Sequence, residues 1–314
     1  MISFGHITNA LGHRNAVGIL VAGLVLLVGA AVVGSVFLFS TPKEVVVEEP
    51  APQAPSPYDR VVLRAEAAIV YDLATGEVLY EKNSEAQLPL ASLTKLLTLY
   101  AAAEVMPRDA SIQMTSEALS ADGDSGFSEG EHFTFEELAK LALVASSNDA
   151  AEAIALAAGE RRGQDGASLL ASAASAAGLS QTYTLNGTGL DESTIISGGY
   201  GSARDMALLS AEFLKRVPGI ARATLDPSVT ANSMDGRSYT LKNTNPDVGQ
   251  IPGLRLSKTG FTDLAGGNLA IVFDVGLNHP IAIVVLGSTR EGRFTDVDRL
   301  VKATTAQFAS MPLP

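Results

Sequence analysis

Leu90-Ala91-Ser92-Leu93-Thr94-Lys95 opens a run to Met106 that contains neither glycine nor proline. It reads as a helix with Ser92 in its first turn. Ser92 and Lys95 are then i and i+3, one turn apart on one face. A lysine amine beside a serine hydroxyl can take its proton once burial or a second cation lowers the amine's pKa. Ser92 at a helix start also puts free N–H groups beside the reacting carbon. S-x-x-K alone turns up about once by chance in a chain this long. Two further words follow in order: Ser146-Ser147-Asn148 and Lys258-Thr259-Gly260. The Ser146 hydroxyl can relay a proton between Lys95 and a leaving amine. The Asn148 carboxamide can donate and accept at once, holding a substrate amide while touching Lys95. Lys258 offers a second cation, Thr259 a hydroxyl donor, and Gly260 close backbone approach for a ligand. Taken singly, the middle word is a polar loop ending a helix, and the last is a turn beginning at Thr259-Gly260.

The surrounding elements set the fold class. Ala67–Asp72 reads as a strand, Ala74-Thr75-Gly76 as a turn, and Glu77–Glu81 as a second strand. Phe135–Val144 is a helix with Thr134 as N-cap and Glu136-Glu137 in its first turn. Alanine-rich helices follow near Asp149–Ala158 and Gly166–Ala177, and another spans Ser202–Lys215. Gly267–Val275 and Pro280–Leu286 are apolar, branched and therefore buried strands, joined by Gly276-Leu277-Asn278-His279. A last helix covers about Thr295–Phe308. Strands at both ends and helices between them predict an α+β fold. An antiparallel sheet is flanked by helices, an all-helical lobe is inserted, and the first and last strands meet in one sheet.

The chain has 314 residues, no cysteine and a formal net charge of −12. Disulfides and thiol chemistry are thereby excluded, and the charge argues against nucleic acid as a partner. Asp122, Asp124 and Glu129–Glu131 do not have EF-hand spacing and read as a solvated loop, so no metal and no cofactor is expected. None of the four histidines (His6, His13, His132 and His279) is needed for the chemistry. Ala16–Phe39 carries no charge. As a helix it spans about 36 Å, enough to cross a bilayer with some tilt. Its length, and its end in Val36-Phe37-Leu38-Phe39, favour an uncleaved anchor over a cleaved signal peptide. Arg14 and the terminal amine before it, set against Lys43, Glu44, Glu48 and Glu49 after it, put the N-terminus in the cytoplasm and the remainder outside. The expected organisation is a cytoplasmic tail (1–15), a transmembrane helix (16–39), a Pro-rich linker (40–57) and a catalytic domain (58–314).

With these words in place the chain resembles the low-molecular-mass penicillin-binding proteins, in particular the D-alanyl-D-alanine carboxypeptidases. The resemblance covers nearly all of Glu66–Arg299. Beyond the three words it rests on Ser147–Ala151, Asn186-Gly187-Thr188-Gly189-Leu190-Asp191, Ser202–Ala207, Lys242-Asn243-Thr244-Asn245 and Thr262–Leu269. It implies a β-lactamase/transpeptidase-like fold. Ser92 is then the acylated nucleophile and Lys95 its base, with Ser146 and Asn148 as the bridging pair. Lys258, Thr259 and Gly260, with Arg293 preferred over Arg290, hold the substrate's terminal carboxylate. The oxyanion hole is the backbone N–H of Ser92 and of Phe261, where the family often has His. The implied partners are peptidoglycan stem peptides, β-lactam antibiotics and, through the N-terminal helix, the bacterial cell membrane, with the catalytic domain extracytoplasmic.

The middle word is Ser-Ser-Asn where β-lactamases typically have Ser-Asp-Asn. The β-rich stalk and C-terminal amphipathic anchor of many relatives have no counterpart after the last helix, a place the N-terminal helix would take. The function implied is a serine D-Ala-D-Ala carboxypeptidase working through an acyl-serine. The rivals are a D,D-endopeptidase on cross-links, a class A-like β-lactamase, and a non-catalytic cell-wall binding protein. Glu192 is the nearest candidate for a lactamase-type deacylating carboxylate, but it lacks the Glu-x-x-Leu-Asn context.

Overall fold

A computed structural model of the chain describes residues 55–310. The tail, the 16–39 helix and nearly all of the linker expected from the sequence lie outside the described residues. No helix among the described residues is long and apolar enough to cross a membrane.

Strand β1 (Ala67–Asp72) turns through Gly76, at φ +79°, into β2 (Val78–Lys82). At the far end of the chain come β10 (Leu254–Thr262), β11 (Gly266–Asp274) and β12 (Pro280–Ser288). These five strands form one sheet in the order β10-β11-β12-β1-β2, antiparallel throughout. The first strand meets the last, Ala67 opposite Leu286 and Asp72 opposite Ile281, as the sequence predicts. Strand β10 lies at one edge. Lys258-Thr259-Gly260 sits inside nine residues of this edge strand, and the turn that Thr259-Gly260 offers when read singly is not formed.

The helices are α1 (Thr94–Val105), α2 (Phe135–Val144), α3 (Asn148–Arg162), α4 (Gly166–Ala176), α5 (Ala203–Arg216), α6 (Pro218–Ala223) and α7 (Gly292–Ala309). Small ribbons decorate the helical part. Strand β3 (Leu88–Pro89) pairs with β7 (Gly199–Gly201), which pairs with β6 (Tyr183–Thr184). Strand β4 (Ser111–Gln113) pairs with β5 (His132–Thr134), and β8 (Ser228–Asn232) with β9 (Ser238–Lys242).

Successive side chains on a strand point to opposite faces, and both faces of this sheet are covered. Ala68, Val70, Ile271, Ile281, Ile283 and Val285 pack with Val297, Leu300 and Val301 of α7. Ala67, Ile69, Val272, Ala282, Val284 and Leu286 join the larger core of the helical lobe. Burial on both faces explains why these strands read as unbroken apolar runs. Helix α1 is buried from Thr94 to Ala102, apolar nearly all round as a helix through the middle of a core must be. Each fully buried leucine there contributes about 1.5–3 kcal/mol over an exposed one. Thr134 and Ser202 cap α2 and α5, their hydroxyls accepting from the N–H of Glu137 and Asp205.

Candidate active site

Ser92 sits in a 3₁₀ turn, Ala91–Leu93, that feeds directly into α1. Ala91 holds φ +48°, a left-handed conformation that costs an L-residue roughly 1–2 kcal/mol. Two glycines make room for this turn. A Cβ at Gly189 would lie 1.9 Å from the Ala91 carbonyl oxygen, and one at Gly260 would lie 2.9 Å from that of Leu90 and 3.3 Å from Ser92 N. Gly260 therefore admits the Ala91–Leu93 turn of its own chain. Asn268, fully buried on β11, secures the same region by donating to the Pro89 carbonyl at 2.9 Å and accepting from Gly287 N–H at 2.8 Å.

Lys95 is fully buried, and its Nζ has three acceptors. They are Ser92 Oγ at 2.8 Å, Asn148 Oδ1 at 2.7 Å and the Thr188 carbonyl at 2.8 Å. Burial pulls its pKa down to about 7, against the opposing charge of Glu152. An amine so placed is partly neutral near pH 7 and can take the Ser92 proton. The Thr188 carbonyl is a partner that sequence reasoning missed, because a backbone oxygen has no side-chain signature. Asn186 shapes its loop: Oδ1 accepts from Thr188 N, Thr188 Oγ1 and Gly189 N, while Nδ2 donates to the Leu190 carbonyl.

Asn148 is the first residue of α3 and Ser147 is its N-cap, the Ser147 hydroxyl accepting from Ala150 N–H. Asn148 Nδ2 also donates to the Asp122 carbonyl. Ser146 precedes the helix at φ +59°. Its hydroxyl does not meet Lys95, as a direct bridge would require; it accepts from Lys258 Nζ at 2.9 Å. Lys258 is buried and also donates to the Thr259 carbonyl at 2.8 Å. Burial first, then the charges of Lys95 and Arg293, hold the Lys258 ammonium well below the usual lysine pKa. A bound carboxylate would oppose that depression and favour the charged form.

On β10 the Thr259 carbonyl turns toward the site. Groups two residues apart on a strand share an edge, so the Phe261 N–H faces the same way. Thr259 Oγ1 donates to Thr244 Oγ1 at 2.6 Å. Lys242–Asn245 carry the chain past this strand, with Asn245 Nδ2 on Ser257 Oγ at 2.9 Å. Arg293, in the first turn of α7, is buried and donates to the Gly260 carbonyl at 2.6 Å. Burial lowers its pKa to about 10. Arg290 is exposed and stacks its guanidinium 3.7 Å from the centroid of the Phe261 ring. The end of β10 is latched by Asp191, which accepts from Thr262 Oγ1 at 2.9 Å and Leu264 N–H at 3.3 Å.

A cleft of about 300 Å³ opens beside Ser146, between the 123–125 loop and Leu241–Lys242 of β9. A larger cavity, about 690 Å³ between β4 and α3, contains no residue of the three words. Asp122, Asp124 and Glu129 are exposed on a loop as expected, and Glu131 alone departs from that reading. Glu131 is buried, accepts from Tyr239 Oη at 2.7 Å, and has its pKa held down by hydrogen bonds that outweigh its desolvation. His132 lies in β5, its N–H bonded to Asp235, and His279 Nε2 is 2.7 Å from Asp72 Oδ2, away from the three words.

The Ser92 hydroxyl, a desolvated amine and a second lysine stand together at the edge of an antiparallel sheet, an arrangement able to support acyl transfer to serine, on a penicillin-binding, transpeptidase-like α+β fold. Residues 51–290 match the D-alanyl-D-alanine carboxypeptidase family, to which the chain belongs. D-alanyl-D-alanine carboxypeptidase DacF of Bacillus subtilis is 31% identical over 256 residues, 79% of this chain and 64% of that protein. The chain thus spans just under two thirds of that relative's length. A D-alanyl-D-alanine endopeptidase of Pseudomonas aeruginosa is 29% identical over 88% of this chain and 89% of its own. The crystal structure of penicillin-binding protein D2 from Listeria monocytogenes with ampicillin bound superposes with a TM-score of 0.65. It is 30% identical and covers 77% of this chain and 97% of that one.

Proposed function

We propose that the chain is a serine-type D-Ala-D-Ala carboxypeptidase that trims peptidoglycan stem peptides and is acylated by β-lactams. The observation that carries this reading is the contact of a fully buried Lys95 amine with Ser92 Oγ at 2.8 Å. The neutral amine takes the Ser92 proton as Oγ attacks the carbonyl carbon between the two D-alanines. The oxyanion forms against the N–H groups of Ser92 and Phe261. As the C–N bond breaks, the proton passes to the departing D-alanine amine, with Asn148 and Ser146 as polar neighbours along the way. Lys258, Thr259 and Arg293 face the terminal carboxylate. Water then cleaves the ester, giving its proton back through Lys95. Membership of the family and the ampicillin-bound relative support this assignment.

The location belongs to the same proposal. The uncharged run 16–39 anchors the N-terminus in the cell membrane, 1–15 remain cytoplasmic, and 40–57 tether an extracytoplasmic catalytic domain over 58–314. A second reading, cleavage of cross-links by the same residues, has the Pseudomonas endopeptidase in its favour.

The decisive test offers purified protein a pentapeptide and a cross-linked dimer, and measures D-alanine release and dimer cleavage. Intact mass after a penicillin pulse follows the adduct. D-Alanine release from the monomer, an adduct on Ser92 lasting minutes, and loss of both in Ser92→Ala are expected. Faster cleavage of the dimer would make it an endopeptidase. Clearance of the adduct in seconds would make it a β-lactamase.

A further inference from the structure

The chemistry above leaves one partly buried carboxylate beside Lys95 unused: Glu152 of α3. Asn148 and Glu152 are i and i+4, so their side chains leave one face of α3 a turn apart. Asn148 meets Lys95 directly. One turn on, Glu152 meets Gly187: a Cβ there would lie 3.5 Å from Glu152 Oε2, and the Gly187 N–H faces the carboxylate. Gly187 threads between helices, since the same Cβ would lie 2.5 Å from Ala155 Cβ, and its carbonyl accepts from Thr98 Oγ1 of α1 at 2.7 Å. The next carbonyl, that of Thr188, receives Lys95 Nζ. One short stretch of backbone is thus gripped by α3 through Glu152 and by α1 through Thr98, and it presents its oxygen to the amine.

We propose that Glu152 is a positioning residue for acylation: its carboxylate fixes the 187–188 backbone against α3 and places a negative charge behind Lys95. The inference rests on the reading of Lys95 as the base. Burial strips Lys95 of basicity, and the charge of Glu152 works against that loss. The groups facing Glu152 are Lys95 from α1, Glu117 from the turn before residues 118–120, and Glu192 from the 186–192 loop. Lys258 of β10 faces Lys95 in turn. Burial, Glu117 and Glu192 raise the carboxyl pKa, while the Gly187 N–H and Lys95 lower it, and the net direction is upward. When Ser92 Oγ–H hands its proton to Lys95 Nζ, an ammonium appears in a site closed to water. An anion one turn of α3 beyond Asn148 stabilises it without reorganising.

The test measures the rate of acylation by a fluorescent penicillin against pH for wild type, Glu152→Gln, Glu152→Ala and Lys95→Ala, with thermal melting of each. Glutamine still accepts from the Gly187 N–H but has no charge. In Glu152→Gln the acid limb should move to lower pH by about half a unit or more. Its plateau should fall several-fold, because Lys95 becomes a weaker base. Glu152→Ala should show the same shift and a lower plateau still, as the Thr188 carbonyl loses its support. A lowered plateau with an unmoved limb would mean packing alone, and would overturn the proposal. So would a Glu152→Gln profile that superposes on wild type. Normal acylation of Lys95→Ala would instead remove the base reading itself, an outcome recognisable without the Glu152 variants.

Discussion

Replacing Gly260 by alanine tests how closely β10 must approach the nucleophile turn. Gly260 does not have positive φ, so alanine suits the backbone and the effect is steric. The new Cβ would lie 2.9 Å from the Leu90 carbonyl oxygen, with Ala91 Cβ and Ser92 N both at 3.3 Å. Restoring ordinary contact requires the strand and the turn to separate by about half an ångström. Misplacement by 1 Å costs about 10²-fold in rate, so half of that costs about tenfold, or about 1.4 kcal/mol in the barrier. The fold loses a comparable amount. Overpacking costs typically 1–3 kcal/mol, and the loss of unfolded-state freedom returns about 0.4–1 kcal/mol. Gly249, with nothing within 4 Å of its Cβ position and no positive φ, supplies the control. Stopped-flow acylation by a fluorescent penicillin should show Gly260→Ala slowed about tenfold and Gly249→Ala unchanged. A Gly260→Ala rate within about twofold of wild type would refute the idea that acylation depends on this close approach.

With the neutral form of Lys95 proposed as the base and its pKa lowered to about 7, acylation by the wild-type enzyme should rise with pH through about 7; a rate that is flat from pH 5 to 9 would exclude that role. Lys258→Ala should lower kcat/KM for a free-acid peptide by more than for its C-terminal amide, and equal losses would remove the carboxylate contact and leave Lys258 as a neighbour of Ser146 alone. Asp296→Ala should destabilise the domain by about 2–4 kcal/mol in denaturant titration. Its fully buried carboxylate accepts from Arg64 N–H, Ala65 N–H and Ser288 Oγ, all of which lose their partner together.

The elements most legible in the sequence are those with a local cause. Thr134 announces its helix because a cap works within one turn. The runs at 67–72, 267–275 and 280–286 announce buried strands because both faces of the sheet are covered. Strand β10 is less plain because Lys258, Thr259 and Gly260 break its apolar alternation. The β8–β9 hairpin carried a usable signal in Asp235-Gly236 between alternating Val229, Ala231, Tyr239 and Leu241. The pairing of Ser146 with Lys258, the Thr188 carbonyl beneath Lys95, the burial of Glu131 and the nearness of Glu152 were not legible. Each depends on segments brought together by the tertiary fold, and no spacing along the chain encodes them.

The meeting of β1 with β12 has a consequence for biogenesis. Ser92 and Lys95 are among the first residues of the domain to be synthesised, yet Lys258 and Phe261 reach them on an edge strand whose sheet closes only when Ala67 finds Leu286. Pairings of such long range form slowly, since the loop must close before they reward it. A nascent chain therefore carries its serine and lysine without the strand that completes the site until nearly the whole domain has emerged. Covalent capture of a penicillin becomes a clock for maturation: chains stalled short of β12 should remain dark on a fluorescent gel, and the delay before labelling reports the closing of the sheet.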